Sequence, residues 1–208
     1  MKRFAALLLA VPLLLTGCVV PLGGATPTET AAPPAGAKIF SNLDAPGIEQ
    51  IKASKIARLD MRAGRLTKGG VGLEDGISQA PEVHIPDGLM DVLIESPHGV
   101  LTARTDRLRL NGMNNRSDFS EVTYFLTADS LDEYVALIRD AVERYGVPAD
   151  SAERWIESTS RRPEEKSDFA LQPGTSTGLE VTYDLRYDGS QDVQVIIVHV
   201  RSLPRTTN

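Results

Sequence analysis

The segment Leu131–Tyr145, LDEYVALIRDAVERY, decides the fold class together with the strand-like segments on either side of it. Its apolar residues recur at spacings of three and four and so form one helix face: Leu131, Tyr134, Val135, Ile138, Ala141, Val142 and Tyr145. Ser130 and Glu133 have the spacing of a capping box, and Gly146 followed by Pro148 is typical of a helix end. We therefore predict a helix over 131–145.

A second helix is predicted directly after the first, from Ser151 to about Ser158. Asp150 is the predicted N-cap, and Glu153 has the position that completes a capping box. Trp155 and Ile156 then face inward. Two adjacent helices are expected at this point in the chain.

The chain before these helices is predominantly strand-like. Period-two alternation or β-branched and aromatic residues predict strands over 57–63, 92–94, 100–103, 107–110 and 119–128. The second and third of these segments flank Ser96-Pro-His-Gly99, which favours a turn. A short helix is predicted from Asp44 through Ile51, and four glycines between 69 and 76 indicate a loop.

The chain after the helices is predicted to form a β-hairpin. Apolar residues alternate with polar ones from Leu179 to Tyr187, and Asp188-Gly189 begins the turn. The segment Val193–Val200 is predicted to be a strand that is buried on both faces near its end. Strands before and after two adjacent helices predict an α+β fold, an antiparallel sheet with both helices packed on one face.

The N-terminus has the pattern of an export signal. Lys2 and Arg3 precede 12 uncharged residues, Phe4–Leu15, which is too short to span a bilayer. The run ends in Leu15-Thr16-Gly17-Cys18, and Cys18 is the only cysteine in the chain. This segment resembles the lipobox of bacterial lipoproteins, in which a leucine and two small residues precede a cysteine.

The lipobox resemblance implies a domain organisation. Residues 1–17 would be a signal peptide cleaved between Gly17 and Cys18, and Cys18 would carry a diacylglyceryl group. Residues 18–38, rich in Pro, Ala, Gly and Thr, are predicted to be a disordered tether. Residues 39–208 would form a single exported domain, held by its lipid on the extracytoplasmic side of a membrane in the cell envelope.

Composition excludes some partners and sites. The net charge of the chain is −6, and removal of Lys2 and Arg3 would make it −8. Nucleic-acid binding depends largely on Lys and Arg neutralising phosphates, so a nucleic-acid partner is not expected. A single cysteine permits neither an internal disulfide nor a cysteine-based metal site.

One segment matches a hydrolase motif by its letters. Gly174-Thr-Ser-Thr-Gly178 fits G-x-S-x-G, and Asp184 and His199 follow in the order of α/β-hydrolases. That motif needs a strand before the serine and a helix after it, whereas Gly178 precedes a predicted strand. We therefore interpret the segment as a flexible loop and expect no catalytic residue.

The other polar residues indicate neither a metal site nor a cofactor site. His84, His98 and His199 have no second ligand at helical spacing, and His84 and His98 are expected in loops. The adjacent carboxylates Glu74-Asp75 and Glu164-Glu165 are expected on the solvated surface. Trp155 and Tyr145 are most simply explained as core residues.

The sequence predicts anchoring more specifically than activity. The leading hypothesis is a membrane-tethered, non-enzymatic lipoprotein that binds an unknown partner or supports the envelope. The main alternative is a carrier or sensor of an apolar ligand or lipid, held between helices and sheet near Tyr134, Ile138 and Trp155. A serine hydrolase using Ser176 and His199 is the third hypothesis.

Overall fold

A computed structural model describes residues 39–77, 80–113 and 115–204. The predicted signal peptide, Cys18 and the predicted tether therefore lie outside the described residues. The helices are α1 (Ala45–Ser54), α2 (Leu131–Tyr145) and α3 (Ala149–Ser160), with a short 3-10 turn at Gly69–Val71. The strands are β1 (Ile56–Asp60), β2 (Glu82–His84), β3 (Met90–Ser96), β4 (Gly99–Thr105), β5 (Arg107–Asn111), β6 (Glu121–Thr127), β7 (Lys166–Ala170), β8 (Leu179–Asp188) and β9 (Val193–Ser202).

The strands form two sheets. The large sheet has the order β2-β5-β6-β9-β8-β7, and all its neighbours are antiparallel. The small sheet has the order β1-β3-β4, in which β1 and β3 are parallel. The predicted α+β class is confirmed, with the difference that the strands are divided between two sheets rather than joined in one.

Helix α2 has the bounds and caps that its sequence predicts. The Ser130 side chain accepts a hydrogen bond from the Glu133 amide, and the Glu133 carboxylate accepts one from the Asp129 amide at 2.9 Å. Gly146 ends the helix at φ 72°, in the left-handed region that glycine adopts without strain. Tyr134 and Ile138, on the predicted apolar face, are fully buried.

Helix α3 begins earlier than predicted, and Asp150 is not its N-cap. Pro148 occupies that position, and its carbonyl accepts hydrogen bonds from the amides of Ser151 and Ala152. The fixed φ of proline suits the start of a helix, so the first turn forms without a side-chain cap. Glu153 does not complete a capping box either, because its carboxylate binds Arg139 on α2.

Two short strands were not predicted from the sequence. β2 includes His84, which was expected in a loop, and β7 follows Glu165. Both lie at the edges of the large sheet, and most of their residues are exposed, so neither shows an apolar pattern. Pairing with β5 and β8, rather than their own composition, makes these segments strands.

The two faces of the large sheet differ. Helices α2 and α3 cover the face that carries Tyr183, Tyr187 and Val198, and the buried apolar residues of both sheets form one core with these helices. The second face carries half-buried, largely polar side chains, since β8 and β9 alternate between buried and half-buried residues. The prediction that β9 is buried on both faces is therefore wrong.

A buried lysine holds the glycine-rich loop that was predicted between residues 69 and 76. The side chain of Lys68 is almost fully buried. Its ammonium group donates hydrogen bonds to the carbonyl oxygens of Asp75 (2.7 Å), Ile77 (3.0 Å) and Met113 (3.0 Å). These bonds use all three donors of the ammonium and join two separate loops.

Candidate functional site

The three residues of the hydrolase motif have separate partners. Ser176 Oγ donates to the carbonyl oxygen of Arg144 at 3.2 Å, and Asp184 accepts from Arg186 at 2.7 Å. His199 Nδ1 lies 2.9 Å from Glu121 Oε1. Ser176 also lies in the loop between β7 and β8, with no helix after it. The structure thus contains neither the hydrogen-bonded chain of a triad nor the strand–serine–helix arrangement of the motif.

The histidines and paired carboxylates lie apart from one another. His84 Nε2 is 3.9 Å from Asp106, and the His98 amide donates to the carbonyl of Thr177 in the turn between β3 and β4. Glu74-Asp75 and Glu164-Glu165 are exposed, as expected. Within the described part of the chain, no three His, Cys, Asp or Glu residues are grouped so that they could hold a metal ion.

Packed aromatic rings fill the space between the two helices and the large sheet. The ring centroid of Tyr134 lies 5.5 Å from that of Trp155 and 5.7 Å from that of Tyr187. Trp155 Nε1 donates to Ser167 Oγ at 2.9 Å, so its polar atom also has a partner. Tyr134, Trp155 and Ile138 are buried core residues, so the ligand site predicted between helices and sheet at this position is wrong among the described residues.

A groove of about 530 Å³ lies on the other side of α2, where β4 runs beside the helix. Tyr145 Oη donates to the carbonyl of Thr102 at 3.3 Å, which holds helix and strand together. We call this feature the α2 groove, and it is lined by Leu89, Asp91, Thr102, Ala103, Arg104, Tyr124, Leu126, Thr127, Glu133, Leu137, Asp140, Arg144, Tyr145 and Tyr183. It combines an apolar and aromatic floor with a charged rim.

Tyr124 is the most unusual residue of the α2 groove. It is only 1% exposed, and its hydroxyl, which lies near that of Tyr145, makes no hydrogen bond of standard geometry among the described residues. Burial raises the pKa of Tyr124 well above its ordinary value, so the group is a neutral phenol. A buried hydroxyl without a well-formed hydrogen bond costs about 1–3 kcal/mol. The sequence predicted a strand here but indicated no role for Tyr124.

The rim of the α2 groove holds charges of both signs. Arg144 pairs with Asp140 at 3.0 Å and lies over the Tyr145 ring, 5.1 Å from its centroid. Arg104 Nε lies 3.6 Å from the Asp91 carboxylate. These pairs are partly or largely exposed, and with Glu133 the polar rim carries three carboxylates against two guanidinium groups. Such a site suits a ligand with an apolar body and a polar end.

The second face of the large sheet carries a connected group around one carboxylate, which we call the Glu121 network. Glu121 accepts hydrogen bonds from Thr123 Oγ1 (2.6 Å), Asn111 Nδ2 (2.9 Å) and Arg201 Nε (2.7 Å), in addition to its contact with His199. Burial alone would raise the pKa of Glu121, but the bonds from Thr123, His199 and Arg201 outweigh it and lower that pKa to about 2. Because the partners of Glu121 satisfy its carboxylate, the network stabilises strand pairing.

No protein-family model, no curated protein and no solved structure matches this chain. Among the described residues, the α2 groove combines apolar and aromatic surface with a charged rim. We therefore take it as the candidate functional site.

Proposed function

We propose that this chain is a bacterial lipoprotein, exported and held at a membrane by acyl chains on Cys18. The N-terminal sequence carries the proposal: a positive start, an apolar run and Leu15-Thr16-Gly17-Cys18 agree with one another. Two or three acyl chains, at about 0.8 kcal/mol for each buried CH₂, anchor a protein far more firmly than one chain. Residues 18–38 then connect the lipid to the domain on the extracytoplasmic side.

Metabolic labelling tests the anchor. In bacteria grown with labelled palmitate, the native chain is expected to take up label and to start at Cys18 after cleavage behind Gly17. Cys18→Ser should remain unlabelled and uncleaved, whereas Thr16→Ser, which keeps a small residue before the cleavage site, should behave as the native chain does. An unmodified Cys18 thiol in the mass spectrum of the native protein, or a mature start elsewhere, would contradict the anchor.

The exported domain is proposed to bind a partner or to support the envelope without catalysing a reaction. The separate partners of Ser176, Asp184 and His199 support this role over that of a serine hydrolase. A fluorophosphonate probe, which labels activated serines, is expected to leave the protein unlabelled. Labelling that Ser176→Ala abolishes would favour the hydrolase instead.

A second candidate function is that of a carrier or sensor of an apolar ligand or lipid. The α2 groove favours it, since Leu126 and Leu137 offer apolar surface beside a charged rim. An acyl or other apolar body would lie against these leucines and the tyrosine rings. Its polar end would then lie among the charged side chains of the rim, beside Arg104 and Arg144.

Binding of a fluorescent fatty acid to the purified protein tests the second candidate. Leu137→Gln, in the groove, is expected to weaken binding about tenfold or more, because burying an unpaired amide is unfavourable. Val193→Gln, which alters an exposed apolar residue outside the groove, serves as the control and should leave the affinity unchanged. Equal affinities for both variants and the native chain would exclude the α2 groove as the site.

A further inference from the structure

The second face of the large sheet has an apolar centre. Ile197 on β9 is paired with Phe125 on β6 and with Asp184 on β8, so these three side chains form one row across the sheet. The guanidinium of Arg107 on β5 lies over the Phe125 ring, 5.6 Å from its centroid, and extends the row. Phe125 and Ile197 are only half-buried, because helices α2 and α3 cover the opposite face.

A second row lies beside the first and is mostly uncharged. Arg109 on β5 is paired with Thr123 on β6, Thr123 with His199 on β9, and His199 with Thr182 on β8. Arg109 also binds Glu82 on β2 at 2.8 Å. The charge of this row therefore lies at its β5 end, while its β8 end carries a hydroxyl.

The third row contains the Glu121 network. Asn111 on β5 is paired with Glu121 on β6, and Arg201 on β9 is paired with Glu180 on β8. Arg201 Nε donates to Glu121 at 2.7 Å, which joins the two halves of the row. This row carries an amide at its β5 end and a carboxylate at its β8 end.

The three rows are complementary to themselves about an axis that runs between β6 and β9. If two copies pack face to face about a twofold axis parallel to these strands, β5 of one copy lies over β8 of the other, and β6 lies over β9. Arg107 then faces Asp184 of the second copy, and Phe125 faces its Ile197. The other two rows bring together groups that attract or tolerate each other: Arg109 with Thr182, Thr123 with His199, Asn111 with Glu180 and Glu121 with Arg201. Like charges do not face each other in any of the three rows.

Arg107 and Asp184 have the capacity to bond a second copy. Arg107 Nε lies 3.5 Å from Glu82 Oε1, and Asp184 accepts a bond from Arg186 at 2.7 Å. A guanidinium group has five N–H donors and a carboxylate about four acceptor sites, so neither contact exhausts its group. Both side chains are also partly exposed. Each can therefore reach across an interface while it keeps the partner in its own chain.

The size of the second face suits a pair of copies. Six strands, spaced by about 4.8 Å, make the face about 24 Å wide. The ten residues of β9 make its centre about 33 Å long, although the outer strands are shorter. A stable interface buries about 800 Å² on each partner, which is close to the extent of this face. An apolar centre with a polar rim is also the usual composition of such an interface.

We propose that the second face of the large sheet is the interface between two copies of this chain, packed face to face about a twofold axis between β6 and β9. Phe125 and Ile197 form its centre, and the two symmetry-related pairs of Arg107 with Asp184 fix the register, since charge pairs contribute mainly to specificity. The proposal goes beyond the proposed function, because it depends neither on Cys18 nor on a ligand in the α2 groove.

Co-purification of two copies with different tags tests the interface in detergent extracts of cells that make the full-length chain. Two copies with Arg107→Glu would place carboxylates opposite each other, and two copies with Asp184→Lys would place cations opposite each other. When one copy carries Arg107→Glu and the other carries Asp184→Lys, both pairs again have opposite charges. Arg154→Glu is the control, since Arg154 is exposed on α3, which covers the opposite face of the sheet.

Native copies are expected to capture each other, and copies with Arg154→Glu should do so equally well. Each singly substituted chain should capture itself at least about tenfold less, because like charges across an interface are strongly unfavourable. The mixed pair of Arg107→Glu with Asp184→Lys should recover most of the native yield.

Absence of capture between native copies would overturn the proposal, whether or not another protein occupies the face. Equal capture by native and singly substituted copies would also overturn it. A mixed pair that remains as weak as the singly substituted pairs would do the same, since the losses would then come from misfolding and not from opposed charges. None of these outcomes depends on the labelling of Cys18.

Discussion

Replacing Glu121 by glutamine removes the charge at the centre of the Glu121 network while keeping the length of the side chain. The carboxylate oxygens accept hydrogen bonds from Thr123, Asn111 and Arg201. His199 Nδ1 must also donate, because a carboxylate only accepts. A glutamine amide would turn an NH₂ group toward at least one of these donors, so the substitution tests charge and bonding without creating a cavity.

The pKa of Glu121 determines how much Glu121→Gln should lower the free energy of unfolding and how that loss should depend on pH. Burial opposes ionisation, but the hydrogen bonds lower the pKa from 4.5 to about 2. At about 1.4 kcal/mol for each pH unit this corresponds to about 3 kcal/mol, which partial solvent access reduces to about 2 kcal/mol. Since the pKa is lower in the folded state, this stabilisation is complete above the unfolded pKa, near 4.5, and is lost as the pH falls toward 2.

Urea unfolding at pH 7 and pH 3 measures this effect. Glu121→Gln is expected to lower the free energy of unfolding by about 2 kcal/mol at pH 7 and by less than about half of that at pH 3. The control is Glu82→Gln on β2. The Glu82 carboxylate binds Arg109 at 2.8 Å but is 37% exposed, so this substitution should change the free energy of unfolding by no more than about 0.5 kcal/mol. A loss that is equal at both pH values, or one no larger than that of the control, would refute the reasoning.

Two further substitutions test the packing of loops. Lys68→Met should lower the free energy of thermal unfolding by about 3 kcal/mol, since three buried carbonyl oxygens lose a charged donor. Lys52→Met, at an exposed position, is the control and should lower it by less than about 0.5 kcal/mol. Similar losses in both variants would contradict the role of the buried ammonium. Gly189→Ala places a Cβ against the carbonyl oxygen of Pro163, closer than van der Waals contact allows. The turn between β8 and β9 must therefore shift, and we expect a loss above about 2 kcal/mol in the free energy of unfolding. An unchanged melting temperature for Gly189→Ala would show that the turn moves freely.

The helices and hairpins were predictable because their bonds are local. The apolar periodicity of Leu131–Tyr145 identifies α2, and the turns at Ser96–Gly99 and Asp188–Gly189 join strands that pair with each other. β2 and β7 were missed because an edge strand with polar residues has no apolar pattern. The start of α3 was misplaced because Pro148 begins the helix without a side-chain cap.

The candidate sites were harder to predict because they join distant segments. The alternation in β6 places Glu121 and Thr123 on one face, and the alternation in β9 does the same for His199 and Arg201. Nothing in either segment indicates that β6 pairs with β9, which brings Glu121 and His199 together across 78 positions. The α2 groove likewise depends on the placement of β4 beside α2.

The sequence alone determined the helix at 131–145, the two hairpins and the α+β class, and its Leu15–Cys18 segment predicts a lipid anchor. These features depend on residues close together in the chain, where periodicity and turn preferences act directly. The tertiary structure decided which strands are neighbours, that aromatic rings fill the space beneath the helices, and that a groove lined by the buried Tyr124 lies beside α2. Those outcomes follow from the packing of distant surfaces, which no local pattern encodes.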